Sequence, residues 1–168
     1  MSVIKHKEQR VAVLIDVQNM YHSAKNLYRA RVNFREILRT AVAGRKLIRA
    51  IAYVVTTESG EEKAFLEALQ KAGIEIRTKE LQIFPGGMKK ADWDIGMAVD
   101  AIRLSRLCDA MVLVTGDGDF VPLIKYLKGG WGGQVEVIAF GKSASARLKE
   151  EADDFVDLGI EPRKYLIK

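Results

Sequence analysis

Two short apolar runs each end on an aspartate. Val11 to Ile15 (VAVLI) leads into Asp16, with Asn19 three residues on, and Met111 to Thr115 (MVLVT) leads into Gly116, Asp117, Gly118 and Asp119. A carboxylate closing a buried apolar strand has few structural uses, and the glycines flanking Asp117 leave its backbone and side chain open. A third acid comes from ADWDIGMAVDAIRL, where steps of three and four from Asp94 reach Met97, Ala98, Ala101 and Ile102, so Asp94 opens the stripe expected to face the interior. Asp100 and Asp92 lie off that stripe, about 120° and about 160° around the helix, and rank second and third behind it. Gathering Asp16, Asp94, Asp117 and Asp119 uncompensated is costly in repulsion and desolvation. A divalent cation removes the conflict, and hard oxygen donors without Cys or His select Mg²⁺ or Mn²⁺ over Zn²⁺. Such an ion neutralises a phosphodiester, activates a water and stabilises the leaving oxygen, and a second ion about 3.5–4 Å away can share the work. Phosphodiester hydrolysis is the chemistry this set fits.

Structural roles compete for some of these residues. Asn19 and Asp119 both suit helix N-caps. Asp109 and the pair Asp153–Asp154 read as solvated turn residues, and Cys108, in an apolar helical run, as a buried thiol with no internal partner.

The elements that must position the acids alternate. Runs rich in β-branched residues at Val11 to Ile15, Ile48 to Val55, Ile74 to Glu80, Met111 to Thr115 and Val135 to Phe140 read as strands, two of them apolar throughout and so covered on both faces. Helical spacing occupies Asn19 to Ala30, Phe34 to Ala43, Glu61 to Ala72, Trp93 to Leu107, Phe120 to Lys128 and Ala144 to Glu151. Helices between strands imply right-handed crossovers. The expected fold is therefore α/β, a three-layer α/β/α sandwich around a mostly parallel sheet of about five or six strands. In such a sheet the ligand site lies beyond the carboxyl ends of the strands, where strand order reverses. Gly44, Gly73, Pro85-Gly86-Gly87 and the glycines around Trp131 punctuate the elements. The tail Glu161 to Lys168 fits either an extra edge strand or a surface segment. Without linker, repeat or low-complexity tract, residues 1–168 read as a single domain with its core at about 10–160.

With 48% hydrophobic residues the chain has enough apolar surface for a core without disulfides or a structural metal. Its apolar runs are too short to cross a bilayer and its N-terminus lacks the apolar region of a secretory signal, so no membrane association and a cytoplasmic location are expected. A net charge of +5 favours polyanionic partners.

Taken together, LIDVQN at Leu14 to Asn19, KKADWDIGMAVDAIRL at Lys89 to Leu104 and CDAMVLVTGDGDFVPLI at Cys108 to Ile124, followed by VEVIAFG and DDFVDL, resemble the NYN domain family, in its LabA-like (DUF88) branch of the PIN-like nuclease superfamily. The resemblance implies a PIN-like sandwich, a Mg²⁺ or Mn²⁺ site and ribonuclease activity. Carried over, Asp16 matches the first-strand aspartate, Asn19 the asparagine that orients it, Asp94 the aspartate opening the central helix, and Asp117 with Asp119 the GDxDF pair; Asp100 matches a further family aspartate. Some relatives have an acid four residues after the first GD aspartate. Here that position is Val121, so the fourth ligand falls to Asp119.

A single-stranded RNA substrate calls for cations and flat faces beside the acids. Lys89 and Lys90, in a loop with two glycines, are the leading candidates, with Tyr21 and the hydroxyl of Thr115 as further substrate contacts. His22, Lys25, Trp93 and Lys142 are weaker ones, Trp93 being expected first as a packing residue. A homodimer is kept as an expectation of assembly. Two rivals stand beside the ribonuclease. A phosphatase of the haloacid dehalogenase type requires a second aspartate two residues after the nucleophile, where this chain has Gln18. An RNA- or protein-binding regulatory module with little or no catalysis is the stronger rival.

Overall fold

The computed structural model describes residues 3–57, 60, 62–83, 85–86, 89–90 and 92–168, with the backbone alone for 82–83 and 89–90. Along the chain the elements are β1 (Arg10–Asp16), α1 (Val17–Tyr28), β2 (Arg31–Val32), α2 (Phe34–Val42), β3 (Lys46–Thr56), α3 (Lys63–Lys71), β4 (Glu75–Glu80), β5 (Gln82–Ile83), β6 (Lys89–Lys90), α4 (Asp94–Ser105), β7 (Ala110–Val114), α5 (Val121–Gly130), β8 (Gln134–Ala139), α6 (Ala146–Glu151), β9 (Asp154–Asp157), α7 (Pro162–Tyr165) and β10 (Leu166–Ile167).

The main sheet has six strands in the order β4-β3-β1-β7-β8-β9, every neighbouring pair parallel. From β1 the chain builds outward through β3 and β4, then returns to the other side of β1 with β7 and continues outward through β8 and β9. The reversal falls between β1 and β7, and it opens a crevice beyond their carboxyl ends. Alternation along β1 divides the core. Val11, Val13 and Ile15 pack with Met20, Ala24, Phe34 and Ile37 of α1 and α2, while Ala12 and Leu14 pack with Met97, Leu104, Ile124 and Leu127 of α4 and α5. The expected α/β/α sandwich is thus present, with β1 and β7 buried on both faces.

Several expectations need correction. α1 starts at Val17 because Asp16 caps it, its side chain accepting the Asn19 amide; Asn19 is not the cap. Other boundaries shift by a residue or two, the usual fraying at element ends; Glu61, the expected start of α3, lies outside the described residues, as does Gly87 of the turn before α4. Asp154 is no solvated turn residue. It is buried in β9, paired with β8 at Glu136, and its carboxylate lies 3.1 Å from Lys5 Nζ. Asp153 is half-buried and accepts the amide of Val135. The tail joins neither edge of the main sheet: β10 pairs antiparallel with β2 in a sheet of two strands.

At the amino ends of the strands, Arg45 and Glu136 form a buried two-pronged ion pair at 2.8 and 2.9 Å. The same guanidinium donates to the carbonyls of Ala41 and Val42 at the end of α2 and to Gln9. Lys5 joins Glu136 to Asp154.

Candidate metal centre

Three elements deliver three carboxylates to the crevice. Asp16 ends β1, Asp117 follows β7, and Asp94 opens α4; each offers an oxygen, and these oxygens lie within 4.8 Å of one another. The cleft around them has a volume of about 430 Å³ and is also lined by Asn19, His22, Asp92, Asp119 and Ser143.

Local hydrogen bonds hold two of the acids in place. Asp16 accepts the Asn19 amide on one oxygen at 3.1 Å and the Thr115 hydroxyl on the other at 3.0 Å. That hydroxyl in turn accepts the Asp117 amide at 3.2 Å, and Asn19 Oδ1 accepts the Gly116 amide at 2.8 Å. The ends of β1 and β7 are therefore stitched through Thr115 and Asn19. Asp117 accepts the amide of Asp119, which opens a single 3-10 turn before α5. The packing beside it is tight: a Cβ at Gly116 would lie 3.1 Å from Ala144 Cα, and one at Gly118 would lie 2.8 Å from Ser145 Oγ.

The electrostatics are those of uncompensated anions. Burial pushes the Asp94 carboxyl up to about 6, and the charges of Asp117, Asp92, Asp16 and Asp119 add to the effect. Asp16 is raised first by burial and then by Asp117 and Asp92, against the opposing hydrogen bonds from Asn19 and Thr115. Among the described residues no lysine, arginine or histidine forms an ion pair with Asp16, Asp94 or Asp117. Three hard oxygen donors, crowded and without a protein cation, fit a divalent cation of the Mg²⁺ or Mn²⁺ kind.

The other candidate residues separate from this group for identifiable reasons. Asp100 is 8% exposed and turned away from the cleft, accepting the Tyr53 hydroxyl at 2.7 Å and lying 3.2 Å from Arg77 Nε. The face of α4 that packs inward is Met97, Asp100, Ala101 and Leu104, whereas Ile102 is exposed, so the stripe is rotated from the expected one. Asp92 lines the cleft after all: it precedes the helix, and its carboxylate accepts the Asp94 amide. Asp119 is exposed at the rim, outside the group of three. Thr115, expected to touch substrate, is 0% exposed and acts on the carboxylates instead. Tyr21 faces a neighbouring groove together with Lys25, while His22 faces the cleft itself. The side chains of Lys89 and Lys90 lie outside the described residues. Trp93 packs against Tyr53 and donates its indole N–H to the Val54 carbonyl, as a packing residue does. Val121 is buried in the core, so no acid stands there. Ser143 was not anticipated from the sequence, since it sits in the turn after β8 and no local pattern marks it.

The chain is 26% identical over 162 residues to the low amplitude and bright protein LabA of Synechococcus elongatus, an alignment covering 90% of this chain and 85% of that protein. It also superposes on the crystal structure of a Vibrio parahaemolyticus protein of unknown function with a TM-score of 0.87 and 27% identity, covering 98% of this chain and 100% of that one. Residues 10–160 match the model of the NYN domain, a branch of the PIN-like nuclease superfamily, and the chain belongs to that family.

Proposed function

We propose that the chain is a Mg²⁺- or Mn²⁺-dependent ribonuclease that hydrolyses phosphodiester bonds of single-stranded RNA in the cytoplasm. The observation that carries this reading is the convergence of Asp16, Asp94 and Asp117 without a cationic partner. These three would hold the ion. When bound, the ion neutralises the phosphodiester, acidifies a water and stabilises the leaving oxygen. Thr115 and Asn19 position Asp16 relative to the β7 turn. Asp119 and Asp92 stand at the rim, close enough for their charge to act on Asp94, and the same negative charge draws a cation toward the cleft. His22 and Ser143 line the same cleft and offer polar contacts to the strand.

The second reading, an RNA- or protein-binding module with little catalysis, is favoured by one feature. Val121 occupies the position of a further acid in some relatives and is buried in apolar core, leaving three clustered carboxylates among the described residues. Incubating purified protein with labelled single-stranded RNA and DNA plus Mn²⁺, beside Asp16→Asn, decides between them. The ribonuclease reading expects RNA cleavage by the wild type that the variant loses; no cleavage, or equal cleavage by both, rejects it. No helix among the described residues is long and apolar enough to cross a membrane, and they give the expected homodimer no support.

A further inference from the structure

Helix α1 carries two adjacent stripes with different company. Asn19, His22 and Asn26 line the acidic cleft. One residue further around, Tyr21, Lys25 and the cap residue Arg29, spaced by four, line a second groove of about 580 Å³ with Arg31 of β2 and Ile167 of β10. Asn26 borders both, so the groove and the cleft adjoin across the helix.

The groove is cationic and lined without acids. Elsewhere several exposed cations sit against carboxylates, Arg10 on Asp109, Lys46 on Glu8 and Arg49 on Glu75. Among the described residues none of Lys25, Arg29 and Arg31 has an acidic partner, and no Asp or Glu lines the groove. Three like charges on one concave wall repel one another and attract a polyanion. Beside them Tyr21 is 47% exposed, with Lys25 Nζ over its ring at 5.8 Å from the centroid and the His22 ring at 5.5 Å in a T-shaped contact, which sets an exposed aromatic ring within the row of cations. A row of cations with an interleaved exposed aromatic ring is what a single strand needs, phosphates on the cations and a base on the ring.

We propose that this groove binds the phosphodiester backbone of a single-stranded nucleic acid and feeds it over α1 into the carboxylate cleft, Tyr21 stacking on a base next to the bond presented there. The direction of travel rests on the ribonuclease reading above; the binding does not. Lysine and arginine read phosphate, so RNA and DNA bind the groove alike, and discrimination between them falls to the cleft.

The test is fluorescence anisotropy in EDTA with labelled single-stranded RNA or DNA about a dozen nucleotides long, titrated over salt. The proteins are the wild type, Tyr21→Ala, and the combined Lys25→Gln, Arg29→Gln, Arg31→Gln variant. The combined variant is expected to bind both strands about tenfold or more weaker at moderate salt, with the slope of log K against log salt shallower by about 2. Tyr21→Ala is expected to lose about fivefold or more with its slope unchanged, because stacking releases no counterions. All variants keep the wild-type melting temperature, since the substituted side chains are exposed. Binding by the combined variant equal to wild type in affinity and slope overturns the proposal while leaving the ribonuclease reading intact. Polyglutamate that binds as tightly as RNA and responds equally to the variants also overturns it, because the groove then recognises acidic chains in general. Groove-dependent strand binding without Mn²⁺-dependent cleavage supports the proposal and rejects the ribonuclease reading. Absence of strand binding by the wild type rejects the proposal outright.

Discussion

At Asp94, burial and four neighbouring aspartates act in the same direction and lift the carboxyl to about 6. In metal-free protein, between the ordinary carboxylate value of about 4 and this one, the folded state keeps a proton that the unfolded chain has released. Stability from this group is therefore full at low pH, falls as pH rises through that window, and is level above it. Asp94→Asn removes the repulsion. The variant is expected to melt above wild type in EDTA at pH 7, by about 2–4 °C for each kcal/mol relieved, with the gap closing toward pH 4. Melting curves across pH check this, and identical curves would refute the electrostatic account. In Mn²⁺ the order reverses. A cation that binds only the native state at a hundred times its Kd adds about 2.7 kcal/mol to the wild type, and Asp117→Asn or Asp94→Asn is expected to lose most of that gain. The aspartates at the ends of the two apolar runs were legible in the sequence because a charge next to a buried strand is conspicuous. Asp92 and Asp100 were misread for opposite reasons. A helical wheel does not apply to Asp92, which precedes the helix, and for Asp100 the wheel started on Asp94 placed the inward stripe off its true face and could not show the partners, Tyr53 and Arg77, which come from β3 and β4.

Between elements, the stitch from β1 to β7 is the contact on which the centre depends. The Thr115 hydroxyl serves Asp16 and the Asp117 amide at once. Thr115→Val keeps the shape and leaves that amide without its partner, which is expected to cost about 1–3 kcal/mol in urea denaturation and to weaken Mn²⁺ binding as Asp16 loses its orientation. Gly116→Ala tests the neighbouring contact. The new methyl meets backbone at Ala144 rather than a movable side-chain end, so a loss of about 1–3 kcal/mol is expected from overpacking. The strands and helices themselves were mostly legible, since apolar runs and helical spacing mark them. β9 was not, because Asp153 and Asp154 look solvated until Lys5 and the Val135 amide are found opposite them. The inward turn of Thr115 was missed similarly: its hydroxyl resembles a substrate contact until the strand packs around it.

For the molecule as a whole, the layer order and the edge bearing the site followed from alternating elements, whereas the basic groove did not. Its cations come from a helix, the helix cap and a two-residue strand that only the folded tail completes. Charge is distributed unevenly between the two ends of the main sheet. At the carboxyl end of the strands the clustered acids have no cationic partner among the described residues; at the amino end Arg45, Glu136, Lys5 and Asp154 satisfy one another. Arg45→Met leaves the buried Glu136 with only the more distant Lys5 at 3.7 Å and is expected to cost about 3–5 kcal/mol, whereas Arg45→Met with Glu136→Leu returns near the wild-type value. Because the two ends share no partner, Asp94→Asn combined with Arg45→Met should be additive within about 0.5 kcal/mol. The ionic clasp at the amino end thus makes the architecture independent of the chemistry opposite. A descendant of this chain that had lost the clustered acids is expected to keep the same layers and strand order, so shape alone gives no sign of what chemistry a member of this lineage performs.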